Sequence, residues 1–188
     1  MDLKARASSR IFRQRAYAMK KHFATRLHYD LRLEWNGVLL SWALPEGPDC
    51  HAGVICNAIE MEDHRREYLQ FQGVHKTGII MLWDRGTWEL HPESEDVESS
   101  LSRGILRFIL HGEKLKGAWT LTKTNIDRNT RSIWTLCKHD DAFAKACSCR
   151  SILKEQPNSV TGETAEEISQ NWITPRNKHE RQSRLFDR

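Results

Sequence analysis

The chain has 188 residues, of which 39% are hydrophobic and 29% charged, and its formal net charge at pH 7 is +4. That length suits one domain, and the balance is ordinary for a globular protein. The strongest apolar runs, 38–44 and 79–83, are far shorter than the ~18 residues of a membrane span. Composition therefore excludes a membrane protein, a coiled coil, a collagen and a fully disordered chain.

Positive charge is concentrated at the beginning of the chain. Residues 1–26 contain eight Lys or Arg side chains and one acid, Asp2, and no apolar stretch of a secretory signal follows. We assign residues 1–16 to a basic arm. Such an arm favours a polyanionic partner such as nucleic acid, and a solvated basic tail is the alternative that charge alone leaves open.

Alternation of apolar and polar residues predicts a mainly β protein. Over residues 27–34, one face would carry Leu27, Tyr29, Leu31 and Leu33, and the other His28, Asp30, Arg32 and Glu34. An Asn36-Gly37 pair predicts a tight hairpin into the next strand, 38–44. Further strands are predicted at 53–62, 68–71, 78–90, 105–110, 117–124 and 132–138. Seven or eight short strands separated by polar turns predict a closed or nearly closed antiparallel sheet.

The remaining segments are predicted to be loops and short helices. Residues 92–103 are acidic and rich in serine, which indicates a surface excursion with one helical turn, and 125–131 reads as a hairpin loop. A short helix is predicted at 140–146. Beyond it, we expect residues 146–188 to form a polar extension that is largely flexible.

One packed helix within this extension is the alternative. Thr164 and Glu167 have the spacing of a capping box, which predicts a short helix over 164–172. Ile168 and Trp172 would then lie on one face of that helix.

Cysteine usage indicates a reducing compartment. The five cysteines form an odd set whose spacing is not that of a disulfide framework: Cys50, Cys56, Cys137, Cys147 and Cys149. We therefore expect free thiols and a cytoplasmic protein.

The most informative cluster lies on the first predicted strand. His28, Asp30 and Arg32 are two residues apart, so their side chains point the same way. An imidazole and a carboxylate at this spacing can meet on one divalent cation, and His22 could fold back as a third ligand. Two histidines and a carboxylate leave open positions on a metal, as catalysis requires, and the Arg32 guanidinium suits phosphate oxygens. The residues alone predict a candidate metal–phosphate site, with an ordinary solvent-facing strand as the alternative.

A second cluster contains His64 and Tyr68. They are four residues apart and would share a face of a helical turn. Both side chains can donate hydrogen bonds to a phosphoryl oxygen, and histidine can also act as a general acid. A surface turn between two strands is the alternative.

Five segments carry a resemblance to a known family. The segment KKHFATRLHYDLRLEWNGVLLSWALPEGP (20–48) resembles the opening signature of the 3′-phosphoesterase domain of bacterial DNA ligase D. The later segments follow in the family's order: EDHRREYLQFQG (62–73), MLWDRGTWEL (81–90), LRFILHGEKLKGAWTL (106–121) and WTLCKHDD (134–141). The resemblance covers about residues 17–145, which we assign to the domain.

The resemblance implies a fold, a cofactor and an activity. The fold is a small closed eight-stranded antiparallel β-barrel with flanking short helices, and the cofactor is a divalent transition metal, typically Mn²⁺. The activity is that of a metal-dependent 3′-ribonuclease and 3′-phosphatase, which removes terminal ribonucleosides and 3′-phosphates to leave a 3′-OH. The implied substrates are DNA or RNA/DNA primer 3′ ends, and a DNA ligase or polymerase of end joining is an implied partner.

Residue by residue, the resemblance assigns one site. The family's metal ligands fall on His22, His28 and Asp30, and its phosphate-binding groups on Arg32, His64 and Tyr68. His64 is a further candidate for protonating the leaving oxygen. The basic residues near the start are expected to hold the duplex by phosphate contacts: Arg13, Arg15, Lys20, Lys21 and Arg26.

The sequence also departs from the family pattern. Glu46 and Cys56 stand where basic residues are usual, Arg65 stands where a proline often follows the histidine, and the loop after Gly73 is several residues shorter. These departures concern substrate affinity more than the metal site. Because the chain shows no polymerase or nucleotidyltransferase segment, we expect a stand-alone version of the domain. We also expect a monomer.

Two other functions remain open at this point. One is a non-catalytic adaptor that keeps the fold and binds DNA ends or a ligase partner. The other is an RNA phosphatase or nuclease outside DNA repair. Turnover of 3′ ends distinguishes the enzyme from the adaptor.

Overall fold

A computed structural model describes residues 15–126, 131–145 and 151–173. Strands predominate: β1 (Arg15–Phe23), β2 (Leu27–Trp35), β3 (Val38–Leu44), β4 (Ile55–Arg65), β5 (Gly73–His75), β6 (Gly78–Leu90), β7 (Ile105–Gly112), β8 (Lys116–Ile126) and β9 (Ser132–Lys138). A 3-10 helix (Arg66–Gln70) follows β4. The described α-helices are α1 (Val97–Ser102), α2 (Ile152–Glu155) and α3 (Ala165–Ile173).

The strands close into a barrel. The ring runs β1-β2-β3-β4-β9-β8-β7-β6, and pairing of β6 with β1 completes it, while β5 adds to the edge of β6. Every pairing between these strands is antiparallel. The predicted eight-stranded antiparallel β-barrel is confirmed, and the closed ring leaves few unpaired strand edges.

Along the strands, alternate side chains face two different environments. On β2, Tyr29, Leu31 and Leu33 belong to the main hydrophobic core. On the other face of the same wall, Ala18 and Leu39 belong to a smaller apolar cluster. Five tryptophans, each at most 1% exposed, fill the main core: Trp42, Trp83, Trp88, Trp119 and Trp134.

The predicted hairpin between β2 and β3 is confirmed. Asn36 and Gly37 have φ angles of 47° and 84°, and Trp35 pairs with Val38. Two successive positive φ values match the twist of the flanking strands, and Asn-Gly tolerates them best. The turn therefore sets the register that brings Arg32 opposite Ser41.

Three local predictions differ from the structure. Strand β1 was not predicted, because the polar residues of RAYAMKKHF obscure its period-two signal. The strand predicted at 68–71 is wrong: residues 66–70 form the 3-10 helix. Residues 140–143 form a turn instead of the start of a helix. In the second case, a short apolar run did not distinguish a strand from a helical turn.

The segment 151–173 packs on the barrel, which differs from the largely flexible extension that we expected. Ile152, Ala165 and Ile168 are buried in the main core. The capping box is confirmed, since the amide of Thr164 donates to Glu167 and the amide of Glu167 donates to the Thr164 hydroxyl. The domain boundaries themselves stay a prediction, because residues 1–14, most of the basic arm, and 174–188 lie outside the described residues. Among the described residues, α3 is the longest helix, and none is both long and apolar enough to span a membrane.

Candidate metal and phosphate site

Strand pairing brings the predicted site residues together on the side of the barrel wall that faces away from the main core. His22 lies directly opposite His28 in the β1–β2 register. Arg32 pairs with Ser41 of β3, and Leu39 of β3 pairs with His64 of β4. Side chains from strands distant along the chain therefore meet on one surface, because hydrogen-bonded strands lie ~5 Å apart.

The three predicted metal ligands lie close together. The distance from His22 Nδ1 to His28 Nε2 is 3.1 Å, and each of these nitrogens lies 3.9 Å from an Asp30 carboxylate oxygen. The three ligand atoms all lie within 4.8 Å of one another. Because metal–ligand distances are about 2.0–2.2 Å for such donors, atoms with this spacing can share one divalent ion. The donor set fits a transition metal with open coordination positions.

Hydrogen bonds select which nitrogen each imidazole turns toward the site. His28 Nδ1 lies 3.0 Å from the Arg26 carbonyl, so it carries the proton and leaves the Nε2 lone pair toward His22. His22 Nε2 lies 3.1 Å from the Thr77 hydroxyl, which in turn lies 2.9 Å from His75 Nδ1. The Thr77 hydroxyl can accept a proton from His22 Nε2, and in that tautomer His22 Nδ1 and His28 Nε2, 3.1 Å apart, both offer lone pairs to a shared cation.

The pKa of His22 favours the same state. Burial, followed by the neighbouring His28, lowers this pKa below its usual value, while the Asp30 carboxylate opposes the change. The imidazole is therefore neutral at neutral pH, as a metal ligand must be. Thr77 and His75 were missed from the sequence: His75 ends β5, and Thr77 lies in the turn that follows it.

Arg32 joins the metal ligands to the second predicted cluster. Its guanidinium is buried, with Nη2 3.5 Å from Asp30 Oδ2 and Nη1 3.2 Å from His64 Nδ1. Burial lowers the pKa of Arg32, and Asp30 counters this effect. The alternative of an ordinary solvent-facing strand is therefore wrong for these residues, since Asp30 and Arg32 are 6% and 8% exposed.

His64 and Tyr68 complete the surface. His64 Nδ1 lies 2.8 Å from the Glu62 carbonyl and 3.3 Å from the Ser41 hydroxyl, so Nδ1 is occupied and Nε2 is the nitrogen left for a ligand. The rings of His64 and Tyr68 meet edge to face, with centroids 6.2 Å apart. Burial, and next the charge of Arg32, lowers the pKa of His64. All six predicted side chains thus lie together, and their individual roles stay predictions.

Lys20 belongs to this surface but is not available to bind DNA. It lies opposite Asp30 in the β1–β2 register and is only 3% exposed. Its ammonium donates to the carbonyls of Leu69 and Phe71, at 2.7 and 2.6 Å. The prediction that Lys20 contacts DNA phosphates is therefore wrong, since burial and two carbonyl acceptors already occupy the side chain.

The other basic residues of the predicted contact set are placed differently. The Arg15 guanidinium lies 4.2 Å from the Trp35 ring centroid, and Lys21 Nζ donates to the Pro157 carbonyl at 3.1 Å. Arg26 is exposed in the turn after β1. Arg13 lies outside the described residues.

Two residues that depart from the family pattern, Glu46 and Cys56, differ in their exposure to solvent. Glu46 is exposed, whereas Cys56 is buried, and burial raises the pKa of its thiol to about 11. Cys50, Cys56 and Cys137 are free thiols, as predicted, and Cys147 and Cys149 lie outside the described residues. A buried neutral thiol cannot replace the charge of a basic residue at position 56.

The chain is similar to one family model and to several known proteins. The family model described as the DNA ligase D 3′-phosphoesterase domain matches residues 20–123. The chain is 42% identical over 152 residues to the multifunctional non-homologous end joining protein LigD of Pseudomonas aeruginosa, which covers 78% of this chain and 18% of that protein. It is 36% identical over 117 residues to the multifunctional non-homologous end joining DNA repair protein LigD of Mycobacterium tuberculosis, covering 60% of this chain and 15% of that protein.

The matches cover most of this chain but only a small part of each relative. The chain spans less than a fifth of the length of either relative. The family model, in contrast, matches more than half of the chain and contains every predicted site residue from His22 to Tyr68. The chain therefore belongs to the DNA ligase D 3′-phosphoesterase domain family.

Proposed function

We propose that this protein is a metal-dependent phosphoesterase that heals DNA 3′ ends during break repair by non-homologous end joining. It removes 3′-terminal ribonucleosides and 3′-phosphates and leaves a 3′-OH. The observation that carries the proposal is the set of His22, His28 and Asp30 ligand atoms within 4.8 Å of one another, beside the buried guanidinium of Arg32. Membership of a phosphoesterase family supports the reaction class.

His22, His28 and Asp30 hold the metal in this proposal, with Mn²⁺ as the favoured ion. When bound, a divalent ion of this kind supplies Lewis-acid polarisation of a phosphate oxygen and lowers the pKa of a bound water. In this proposal the Arg26 carbonyl accepts from His28 Nδ1 and the Thr77 hydroxyl accepts from His22 Nε2, which leaves the other nitrogen of each ring for the metal.

The other three residues bind the phosphoryl group. Arg32 neutralises the charge that grows on the phosphoryl oxygens, and the Asp30 carboxylate holds it in place. Tyr68 donates a hydrogen bond from its hydroxyl. Because an anionic phosphate favours the protonated imidazole, binding would counter the lowered pKa of His64, whose Nε2 can then donate to the substrate or protonate the leaving oxygen.

The proposed substrates are DNA and RNA/DNA primer 3′ ends. Both similar relatives are named for non-homologous end joining, and a ligase or polymerase of that process would use the 3′-OH that this reaction produces. In this proposal Arg26, which is exposed in the turn whose carbonyl orients His28, contacts the substrate backbone. We propose that the protein acts as a monomer.

Turnover of defined primer–templates tests the proposal. The purified protein is incubated with Mn²⁺ and duplexes that end in a 3′-phosphate or in one 3′-ribonucleotide, with and without EDTA. We expect both ends to be converted, and His28→Ala or Asp30→Asn to reduce the rate by about a hundredfold or more, because a ligand is lost. His111→Ala is the matched control, since His111 is exposed and contacts Glu89, which lies outside the site.

Two results would contradict this assignment. Parent-like turnover by folded His28→Ala and Asp30→Asn proteins would show that the chemistry lies elsewhere. A parent protein that binds 3′ ends and converts neither of them would instead favour the non-catalytic adaptor. The exposed acid Glu46, at a position usually basic in the family, is the observation that keeps this alternative in view.

A further inference from the structure

Lys20 is a buried polar group that the proposed chemistry does not use. It lies on the site face of β1, two residues before His22 and opposite Asp30. Its ammonium donates hydrogen bonds to two main-chain carbonyls, those of Leu69 and Phe71. Those carbonyls belong to the end of the 3-10 helix and to the residue that follows it.

We propose that Lys20 is a positioning residue that anchors the 3-10 helix against β1 and thereby holds Tyr68 beside the metal ligands. The inference rests on the proposed function, because it assigns Tyr68 a contact with the phosphoryl group. It adds a residue whose effect on the reaction passes through the main chain of another element.

The geometry of the helix explains the need for an anchor. The helix has five residues, and the carbonyls at the end of so short a helix lack further intrahelical donors. Leu69 packs beneath it in the small apolar cluster that contains Ala18 and Leu82. One apolar contact fixes the depth of the helix but not its rotation. Two directional hydrogen bonds on either side of Gln70 supply that constraint.

The anchor does not depend on the charge of Lys20. Burial, followed by the charge of Arg32, lowers the pKa of this amine to about 7. Both the ammonium and the neutral amine have at least two N–H groups, so either form can donate to both carbonyls. A neutral side chain with two N–H donors should therefore restore much of the function that an apolar one removes.

The test compares Lys20→Met with Lys20→Gln. Methionine keeps a long side chain without donors, whereas glutamine offers an amide with two N–H groups. We expect Lys20→Met to lower kcat/KM for a 3′-phosphate end about 10- to 100-fold, because a small displacement of a substrate-binding group has effects of that size. Mn²⁺ affinity should stay within about twofold of the parent, since the metal ligands are untouched, and Lys20→Gln should recover most of the lost rate.

Lys138→Met is the matched control for removal of a buried amine. Lys138 is 1% exposed and also donates to two carbonyls, those of Ala118 and His139, and in addition pairs with the Asp141 carboxylate at 2.6 Å, away from the site residues. Both methionine variants are expected to be less stable. Only Lys20→Met should lose turnover while it is folded.

A double-mutant cycle with Tyr68→Phe tests whether Lys20 affects turnover through Tyr68. If Lys20 acts through Tyr68, adding Lys20→Met to Tyr68→Phe should lower kcat/KM by less than about twofold further. Fully multiplicative losses, or parent-like turnover by Lys20→Met, would overturn the inference while leaving the proposed function intact.

Hydrogen exchange tests the anchor even if the proposed function is wrong. The Phe71 amide donates to the Tyr68 carbonyl at 3.2 Å, so its exchange rate reports on the end of the 3-10 helix. Lys20→Met should accelerate this exchange, and Lys20→Gln should largely reverse the change. A parent protein without turnover rejects the proposed function, and unchanged exchange in Lys20→Met rejects the anchor.

Discussion

At the scale of single residues, the site depends on which nitrogen of each histidine carries a proton. His22 turns Nδ1 toward the site and His28 turns Nε2 toward it. The Arg26 carbonyl makes this choice for His28, and the Thr77 hydroxyl allows it for His22 by accepting from Nε2. Because an imidazole binds a metal through its lone pair, these partners decide whether the two rings can ligate together.

Thr77 gives a prediction at this scale. Thr77→Val keeps the shape of the side chain and removes the hydroxyl, so it should weaken Mn²⁺ binding about 10-fold or more. Isothermal titration of the metal-free protein with Mn²⁺ measures the change. Thr77→Ser keeps the hydroxyl and should bind as the parent does, whereas parent-like affinity in Thr77→Val would show that the contact does not orient His22.

At the scale of elements, helix α3 packs outside the barrel and supports the 3-10 helix. Aromatic rings connect Tyr68 to Phe71 and Phe71 to Trp172 of α3, with centroids 6.1 and 5.8 Å apart. Gly73 has φ +154°, and a Cβ placed there would lie 2.2 Å from the Trp172 ring. The indole can lie over β5 because position 73 is glycine. Helix α3 therefore braces the segment that carries Tyr68.

Trp172→Ala tests this brace. The half-buried indole should contribute about 2 kcal/mol to the free energy of unfolding, somewhat less than a fully buried tryptophan. Urea unfolding followed by circular dichroism measures the loss. Gln170→Ala, at an exposed position of the same helix, is the control. Equal unfolding free energies for the two variants would contradict packing of α3 on the barrel.

At the scale of the whole molecule, metal binding and folding are coupled. The ligands come from β1 and β2, and they converge only when these strands pair. An ion that binds the folded state and not the unfolded chain stabilises the protein by mass action. The same reasoning applies to protons, since folding changes the pKa of several histidines.

Metal removal gives a thermal prediction. At Mn²⁺ concentrations about 100 times Kd, Tm should rise by about 5–10 °C, and EDTA should reverse the rise. Differential scanning calorimetry on the parent and on Asp30→Asn measures both effects. A rise of the same size in Asp30→Asn would place the stabilising ion at some other site.

Acid should destabilise the protein through His139, at the end of the barrel wall. Burial, followed by the nearby His91, lowers its pKa below the usual value of 6.5. The unfolded chain therefore binds this proton more readily, so the stability contributed by His139 is present above about pH 6.5 and is lost as pH falls through the lowered pKa. Chemical unfolding of the parent and His139→Gln at about pH 7.5 and 5.5 should show a smaller decrease in the variant. An equal decrease would exclude His139 as a contributor.

Local patterns determined much of this protein directly from the sequence. Alternation along 27–34 predicts β2 because side chains of a strand point to opposite faces. Asn36-Gly37 predicts the hairpin, and Thr164 with Glu167 predicts the helix cap, because each interaction joins residues at most three apart. The clustering of His28, Asp30 and Arg32 follows from the same period of two.

Long-range packing decided the rest. Barrel closure joins β1 to β6, with a bulge between Met19 and Lys20, and only this closure buries Lys20 and brings the 3-10 helix within its reach. Thr77 reaches His22 across 55 positions of sequence. The sequence predicted exposed phosphate contacts for Lys20 because charge alone does not reveal burial. Which polar groups are partnered depends on contacts between distant segments, and those contacts exist only in the folded chain.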